Sequence, residues 1–234
     1  MNHVIDAFVW LTEPANWAGP GGIPNRVGQH LAITAVCVLI AAAIALPAGV
    51  LIGHTRRGVG AVGALVGAAR AIPTLGLLTL FGLAFGIGLR APVLALVVLA
   101  VPSLLAGAYA GVQSVAPTVT DAARAIGLSG WQIVGRVELP LGAPVIIGGV
   151  RSATLQVVAT TTLAAYIADA GLGRYLFIGL VSRDYAQMLG GAILVIALAV
   201  VLEIALAAVQ RLVATRVTHP QRGKAGQSHL KGEN

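Results

Sequence analysis

Long apolar stretches separated by short polar segments dominate the chain, and the pattern predicts about five membrane-spanning helices. A helix that crosses the bilayer needs roughly 20 consecutive, mostly apolar residues. The stretches that meet this requirement are 28–53, 59–86, 92–112, about 143–167, and 188–210. The second stretch is longer than one straight span requires and contains Pro73, which removes a backbone hydrogen bond, so we expect it to be bent or broken.

Composition supports the same class of protein. Hydrophobic residues make up 57% of the 234 residues and charged residues 10%, whereas soluble domains carry charge on roughly a quarter of their residues. With so few charges the chain could not cover a soluble domain with polar surface. The predicted fold is therefore an all-α, polytopic membrane helix bundle. The single cysteine, Cys37, excludes an intrachain disulfide and is predicted to be a packing residue.

The chain divides into three predicted regions. Residues 1–27 lack a basic start and contain acidic residues, which argues against a signal peptide. We expect them to form an external segment, with an interfacial helix as one interpretation. Residues 28–212 are the transmembrane domain with a loop at 114–142, and residues 213–234 form a basic tail.

The distribution of Lys and Arg predicts the orientation. Positive charge accumulates on the cytoplasmic side of membrane proteins. If the N-terminus is external, the cytoplasmic side contains the Arg56–Arg57 pair, the 121–142 segment and the basic tail. An odd number of spans then places the C-terminus in the cytoplasm. The net charge of +7 is explained by this topology and does not indicate nucleic acid binding.

Glycines spaced four residues apart recur along the predicted spans. Small residues at this spacing let two helix backbones approach closely, which is how membrane helices associate. We expect these glycines to pack within the bundle or against a second subunit. They are Gly49/Gly53, Gly63/Gly67, Gly82/Gly86 and Gly107/Gly111.

The segment 121–142 is polar by the standard of this chain, and its residues predict a helix–turn–helix pair. Asp121, or Thr120 before it, is expected to cap the first helix, and Gly127 suits the left-handed position at the end of that helix. Ser129 is expected to cap a second helix that Pro140 ends. Such a pair could insert into a groove on another protein. An ordinary solvated loop fits the pattern equally well.

A resemblance decides between these two interpretations. Asp121-Ala122-Ala123 is followed after three residues by Gly127, and after nine more by Val137-Glu138-Leu139-Pro140. This arrangement resembles the EAA loop of ABC-importer permeases, with Asp for Glu and Val for Ile as the departures. The resemblance implies a type I importer fold, in which the loop docks on an ATPase. It assigns this docking role to Asp121, Ala122, Ala123, Arg124, Ile126, Gly127, Leu128, Ser129, Trp131 and Pro140.

Three further segments resemble one branch of that family, the permeases for glycine betaine, choline, carnitine and related osmoprotectants. They are 71–82, 101–112 and 144–173, the last ending in a weakened form of a GAGGLG turn. This implies import of a compatible solute, proline included, through the bacterial cytoplasmic membrane. A methionine-type or other small-solute permease remains an alternative, as does a secondary transporter without an ATPase.

The same resemblance implies the partners. They are a cytoplasmic ATPase dimer that binds ATP and Mg²⁺, a second permease subunit (the same chain or a paralogue), and an external substrate-binding protein, in a lipid membrane. The chain itself has no phosphate-binding GxxxxGK[ST] loop, no HExxH and no clustered metal ligands, so we expect it to be a non-catalytic subunit with no cofactor and no metal.

A few polar residues inside the apolar stretches are candidates for other roles. Arg70, Arg151 and Glu203 are intramembrane charges; Arg151 and Glu203 lie at similar predicted depth, so we expect an ion pair, with a role in the solute path as the alternative. His30 and His54 are expected to reach the membrane surface from the ends of spans. The candidates for lining a translocation path are Tyr109, Thr160, Thr161 and Tyr166.

Overall fold

The computed structural model describes residues 2–218, without the side chains of Val59, Arg70, Val217 and Thr218. Most of the predicted basic tail, 213–234, therefore lies outside the described residues. The described part is helical and contains no strand. Its α-helices are α1 (His3–Thr12), α2 (Ile23–Thr55), α3 (Val59–Ala71), α4 (Thr74–Phe85), α5 (Arg90–Gln113), α6 (Pro117–Ala125), α7 (Gly130–Ile133), α8 (Leu139–Thr161), α9 (Gly173–Ser182) and α10 (Tyr185–Thr218).

Four stretches of described helix are long and apolar enough to cross a membrane, and a fifth span is broken. The four are Ile23–Thr55, Arg90–Gln113, Gly130–Tyr166 and Tyr185–Arg216. The broken span consists of α3 and α4, which meet at an angle of 83°. Pro73 lies at the break, where it precedes α4 and holds Ile72 in an extended conformation. The predicted all-α bundle of about five spans is confirmed.

The core of the bundle lies where α2, α5 and α8 pack together, and glycine sets their separation. A β-carbon on Gly49 would lie 2.6 Å from the Ala108 Cβ, and one on Gly107 would lie 2.5 Å from the Gly149 Cα. No larger residue fits at such distances, so α5 approaches both neighbours through glycine. By contrast, a β-carbon on Gly63 would meet no atom within 4 Å among the described residues.

The short helices occupy the two ends of the bundle. At one end α6 and α7 form the loop between α5 and α8. At the other end a 3₁₀ turn (Thr162–Tyr166) and α9 lead from α8 to α10, and α1 packs against α10. Helix α2 runs from one end of the bundle to the other. With a rise of about 1.5 Å per residue, Arg26 and His54 lie roughly 40 Å apart along it. The two ends are therefore distinct surfaces.

Candidate functional site

The loop between α5 and α8 forms a compact turn with defined hydrogen bonds. Helix α6 ends at Ile126, and Gly127 follows with φ +89°, a left-handed conformation that glycine adopts without strain. The Gly127 N–H donates to the Arg124 carbonyl at 2.9 Å and the Leu128 N–H to the Ala123 carbonyl at 3.1 Å. These two bonds make a Schellman motif, which satisfies carbonyls at the end of α6.

The start of α7 is fixed by a reciprocal cap. The Ser129 side chain accepts from the backbone three residues on, and the Ser129 N–H donates to the Gln132 Oε1 at 2.8 Å. Such a capping box satisfies two backbone donors at once. The predicted positions of the turn at Gly127 and of the cap at Ser129 are therefore present in the structure.

Two details of the predicted loop are wrong. Neither Thr120 nor Asp121 caps α6, which begins earlier at Pro117; the Thr120 hydroxyl donates to the Pro117 carbonyl at 2.8 Å, and Asp121 pairs with Arg124 at 2.8 Å. Nor does Pro140 end the second helix. It lies in the first turn of α8, directly after a π-helical turn and inside the continuous helical stretch Gly130–Tyr166. A π-helical turn, Val134–Glu138, joins α7 to α8.

The loop presents two large apolar side chains to its surroundings. Ile126 and Trp131 are each 78% exposed, although such side chains contribute most to stability when they are buried. Ala123 is buried against the bundle and Leu128 is half-buried. The remaining candidates are all exposed, namely Asp121, Ala122, Arg124, Gly127, Ser129 and Pro140.

A buried polar contact that we did not predict joins this loop to α2. Glu138, 5% exposed, accepts from the His54 Nδ1 at 2.8 Å. The contact joins the π-helical turn to the last turn of α2. A π-turn inserts one extra residue and so changes the direction of the side chains that follow it. The sequence offered one signal, a lone Glu in a mostly apolar run, but nothing in it pointed to His54.

The expectation for His30 is wrong, and His54 is partly buried in its contact with Glu138. His30 is fully buried: its Nδ1 accepts from the Leu172 N–H at 3.3 Å, so its Nε2 donates to the Val158 carbonyl at 3.0 Å. His30 thereby joins α2 to two segments more than a hundred positions away. A histidine can make both bonds without charge when one nitrogen donates and the other accepts.

A second polar cluster lies between α8 and α10. The guanidinium of Arg151 contacts both carboxylate oxygens of Glu203, and its Nε–Glu203 Oε2 distance is 2.8 Å. Arg151 also donates to Gln210 at 3.0 Å, and Gln210 donates to the Pro144 carbonyl at 2.9 Å. Two-point contact with a carboxylate is the geometry that arginine favours. The side chain of Arg70, the third predicted charge, lies outside the described residues.

The end of the bundle opposite the loop carries a third cluster. The Asp169 Oδ1 accepts from the Arg26 NH2 at 3.1 Å and forms a salt bridge with Arg174, whose Nε lies 2.9 Å away. Arg26 also donates to the Asp169 backbone carbonyl at 2.9 Å. The Tyr175 hydroxyl donates to the Gly21 carbonyl at 2.6 Å; burial raises the pKa of Tyr175, against a lowering by the Arg26 charge. These contacts hold the turn after α8 against the start of α2.

The residues proposed from sequence for a path do not form one site. Tyr109 is half-buried in the part of α5 that leads to the loop, and its backbone lies beside Gly49 and Gly53 of α2. Tyr166 is 60% exposed at the opposite end of the bundle. The hydroxyls of Thr160 and Thr161 each donate at 2.7 Å to a carbonyl one turn back in α8, which is a common use of Thr in a helix.

Tyr166 lines two of the clefts that open at that end. The larger has a volume of about 490 Å³ and lies between α4 and the 165–169 turn, with Arg174 at its edge. The smaller, about 420 Å³, lies between Tyr166 and α9 and includes Phe177. Both clefts contain Ala165, Tyr166 and Arg174.

Comparison with known proteins identifies the family. Residues 31–219 match the family model described as binding-protein-dependent transport system inner membrane component. The chain belongs to this family. That membership supports an ATP-driven importer permease over a secondary transporter.

Several curated relatives cover most of the chain. It is 33% identical over 193 residues to the glycine betaine/carnitine/choline transport system permease protein OpuCB of Bacillus subtilis, covering 82% of this chain and 89% of that protein. It is 34% identical to the carnitine transport permease protein OpuCB of Listeria monocytogenes, covering 76% and 82%. It is 32% identical to the osmoprotectant import permease protein OsmW of Salmonella typhimurium, covering 78% and 87%.

A solved structure shares the fold. The chain superimposes on a chain of the methionine ABC transporter MetNI in an inward-facing conformation with a TM-score of 0.72 and 26% identity. The match covers 82% of this chain and 95% of that one. The type I importer permease fold expected from the sequence is therefore confirmed.

Proposed function

We propose that the chain is the membrane-spanning subunit of an ABC importer for compatible solutes such as glycine betaine, choline, carnitine or proline. The observation that carries this proposal is the similarity, over about four-fifths of the chain, to permeases whose names specify these solutes. In such an importer an external binding protein delivers the solute. ATP binding and hydrolysis take place on a separate pair of subunits.

The loop from Asp121 to Leu128 is the proposed docking element for the ATPase. Its support is the match to the EAA pattern together with its shape: a short amphipathic helix ended by a Schellman turn, with Ile126 and Trp131 exposed beside it. An exposed apolar side chain on a rigid turn can fill a groove on a partner, which is the usual geometry of helix docking. Arg124 and Asp121 hold each other on the outer surface of the turn.

The proposed topology places this loop in the cytoplasm and the N-terminus outside. The Arg56–Arg57 pair and the loop Arg residues then lie inside, which agrees with the positive-inside rule. Residues 1–27, with α1, form an external segment, and residues 28–212 form the permease domain. A bundle of about five helices does not enclose a path alone, so a second permease subunit completes it.

Affinity purification from native membranes tests the docking element. Ile126→Asp places a charge on a side chain that is 78% exposed, so the fold should tolerate it. We expect the wild type to purify with an ATPase subunit and this variant to lose it. The matched control is Val181→Asp, which alters an 86% exposed side chain at the opposite end of the bundle. An ATPase that is retained equally by both variants would rule out this docking surface.

Uptake by the purified complex in proteoliposomes tests the solute. Glycine betaine, choline, carnitine and proline are compared with methionine, because the shared fold with a methionine transporter supports methionine as a second candidate. We expect ATP-dependent accumulation of an osmoprotectant. Accumulation of methionine alone would refute the osmoprotectant assignment while leaving the importer assignment intact.

A further inference from the structure

The larger cleft at the end opposite the loop combines features suited to a small charged solute. Its walls come from α4, from the turn after α8, and from the start of α9, and its volume is about 490 Å³. Most of its lining is apolar, with Tyr166, Asp169 and Arg174 as the large polar groups. Ligand sites in proteins have this character, an apolar cavity with a few placed polar groups.

Among the described residues beside the cleft, two arginines share one carboxylate. Arg26 and Arg174 both form salt bridges with Asp169. Arg26 is buried and directs the rest of its contacts to Gln29 and to the backbone. Arg174 approaches Asp169 through its Nε, its two terminal nitrogens have no hydrogen-bond acceptor among the described residues, and its side chain is 38% exposed. A guanidinium edge in this state can take a carboxylate through two hydrogen bonds.

An aromatic surface lies next to this guanidinium. Tyr166 lines both clefts, and its ring centroid lies 5.8 Å from that of Phe177 with the planes 50° apart. The Tyr166 residue is 60% exposed and lines both clefts, so its aromatic side chain is accessible to a ligand there. Quaternary ammonium groups bind to such faces through the cation–π interaction.

We propose that this cleft is a binding site for betaines, solutes that carry both a quaternary ammonium and a carboxylate. The carboxylate bonds to the free edge of Arg174, and the ammonium lies on Tyr166. This inference rests on the proposed function and narrows it: a solute with the ammonium alone, such as choline, has only the aromatic contact. Arg174 therefore discriminates between two solutes that Tyr166 does not distinguish.

The test compares two solutes in the complete reconstituted complex with its binding protein, which stays unchanged throughout. Arg174→Gln removes the cation, and Arg183→Gln is the matched control, an arginine at the other end of α9. We expect Arg174→Gln to lower glycine betaine uptake roughly tenfold or more, the loss typical of a hydrogen bond to a charged group. Choline uptake should change less than about twofold, and Arg183→Gln should leave both solutes unaffected.

Tyr166 variants test the other half of the site. Tyr166→Phe keeps the ring, and we expect both solutes to be carried. Tyr166→Leu removes it and should lower uptake of both, by a few-fold or more. Complex assembly is measured beside uptake in every variant, and a loss of uptake is assigned to the cleft only when the variant assembles as the wild type does.

The possible outcomes distinguish failure of the proposed betaine site from failure of the proposed importer function. Equal losses of both solutes in Arg174→Gln mean that Arg174 acts only structurally, and no loss means that the solute does not pass this cleft; either result overturns the site. A wild type that carries choline but not glycine betaine also overturns it. A wild type that carries betaines alone supports it if Arg174→Gln, unlike Arg183→Gln, stops their uptake. If the complex carries none of glycine betaine, choline, carnitine and proline, the proposed function itself fails; if it carries proline alone, only the site fails.

Discussion

Removal of the His54 side chain should destabilise the protein because it isolates a buried carboxylate. The Glu138 side chain is 6% exposed, and its Oε2 bonds to the His54 Nδ1 at 2.8 Å. A hydrogen bond that involves a charged group contributes about 1.5–3 kcal/mol, and a buried charge left without its partner costs about 3–5 kcal/mol. His54 is itself partly exposed, so water can reach the vacated space. We therefore expect His54→Ala to cost about 2–3 kcal/mol.

The assay is thermal unfolding of the purified protein in detergent. For a chain of this size about 1 kcal/mol corresponds to 2–4 °C, so His54→Ala should lower Tm by roughly 5–10 °C. Glu138→Gln keeps an oxygen that can accept the bond and should lower Tm by much less. Thr55→Ala is the matched control, since the Thr55 hydroxyl is exposed and bonds only to the Leu51 carbonyl in its own helix.

A double-mutant cycle with Glu138→Ala decides whether the two residues act as a pair. Residues in one hydrogen-bonded contact are not additive, so the double variant should be more stable than the sum of the single losses predicts. If His54→Ala shifts Tm no more than Thr55→Ala, or if the two losses simply add, the contact does not stabilise the junction between loop and span.

Three other predictions follow from the packing. Glu203→Arg combined with Arg151→Glu should assemble better than either single change, measured by the yield of monodisperse protein; a yield no higher than those of the single variants would show that the pair is not structural. Gly107→Leu should abolish assembly because its side chain would overlap α8, whereas Gly63→Leu should assemble normally, and size-exclusion profiles distinguish these outcomes. Cys37 is fully buried, so a water-soluble maleimide should label it only after denaturation; labelling of the native protein would contradict the packing of α2.

Features that depend only on neighbouring residues are readable from the sequence. Runs of apolar side chains predict spans because the bilayer thickness sets their length, and Pro73 breaks a helix through its own missing N–H. The Gly127 turn and the Ser129 cap are likewise local, since each bond spans only three to five positions. These elements were predictable without knowledge of the fold.

Which polar groups contact each other depends on the packing of the whole bundle. Arg26 and Asp169 are 143 positions apart, and His54 and Glu138 are 84 positions apart. A periodic pattern in the sequence does not reveal such a pair. The pairing depends on the relative axial position of two packed helices and on the extra residue of the π-turn, which brings Glu138 to His54. Pro140 shows the same limit: its ring is compatible with either the end of one helix or the first turn of the next, and the continuation of α7 into α8 settles which.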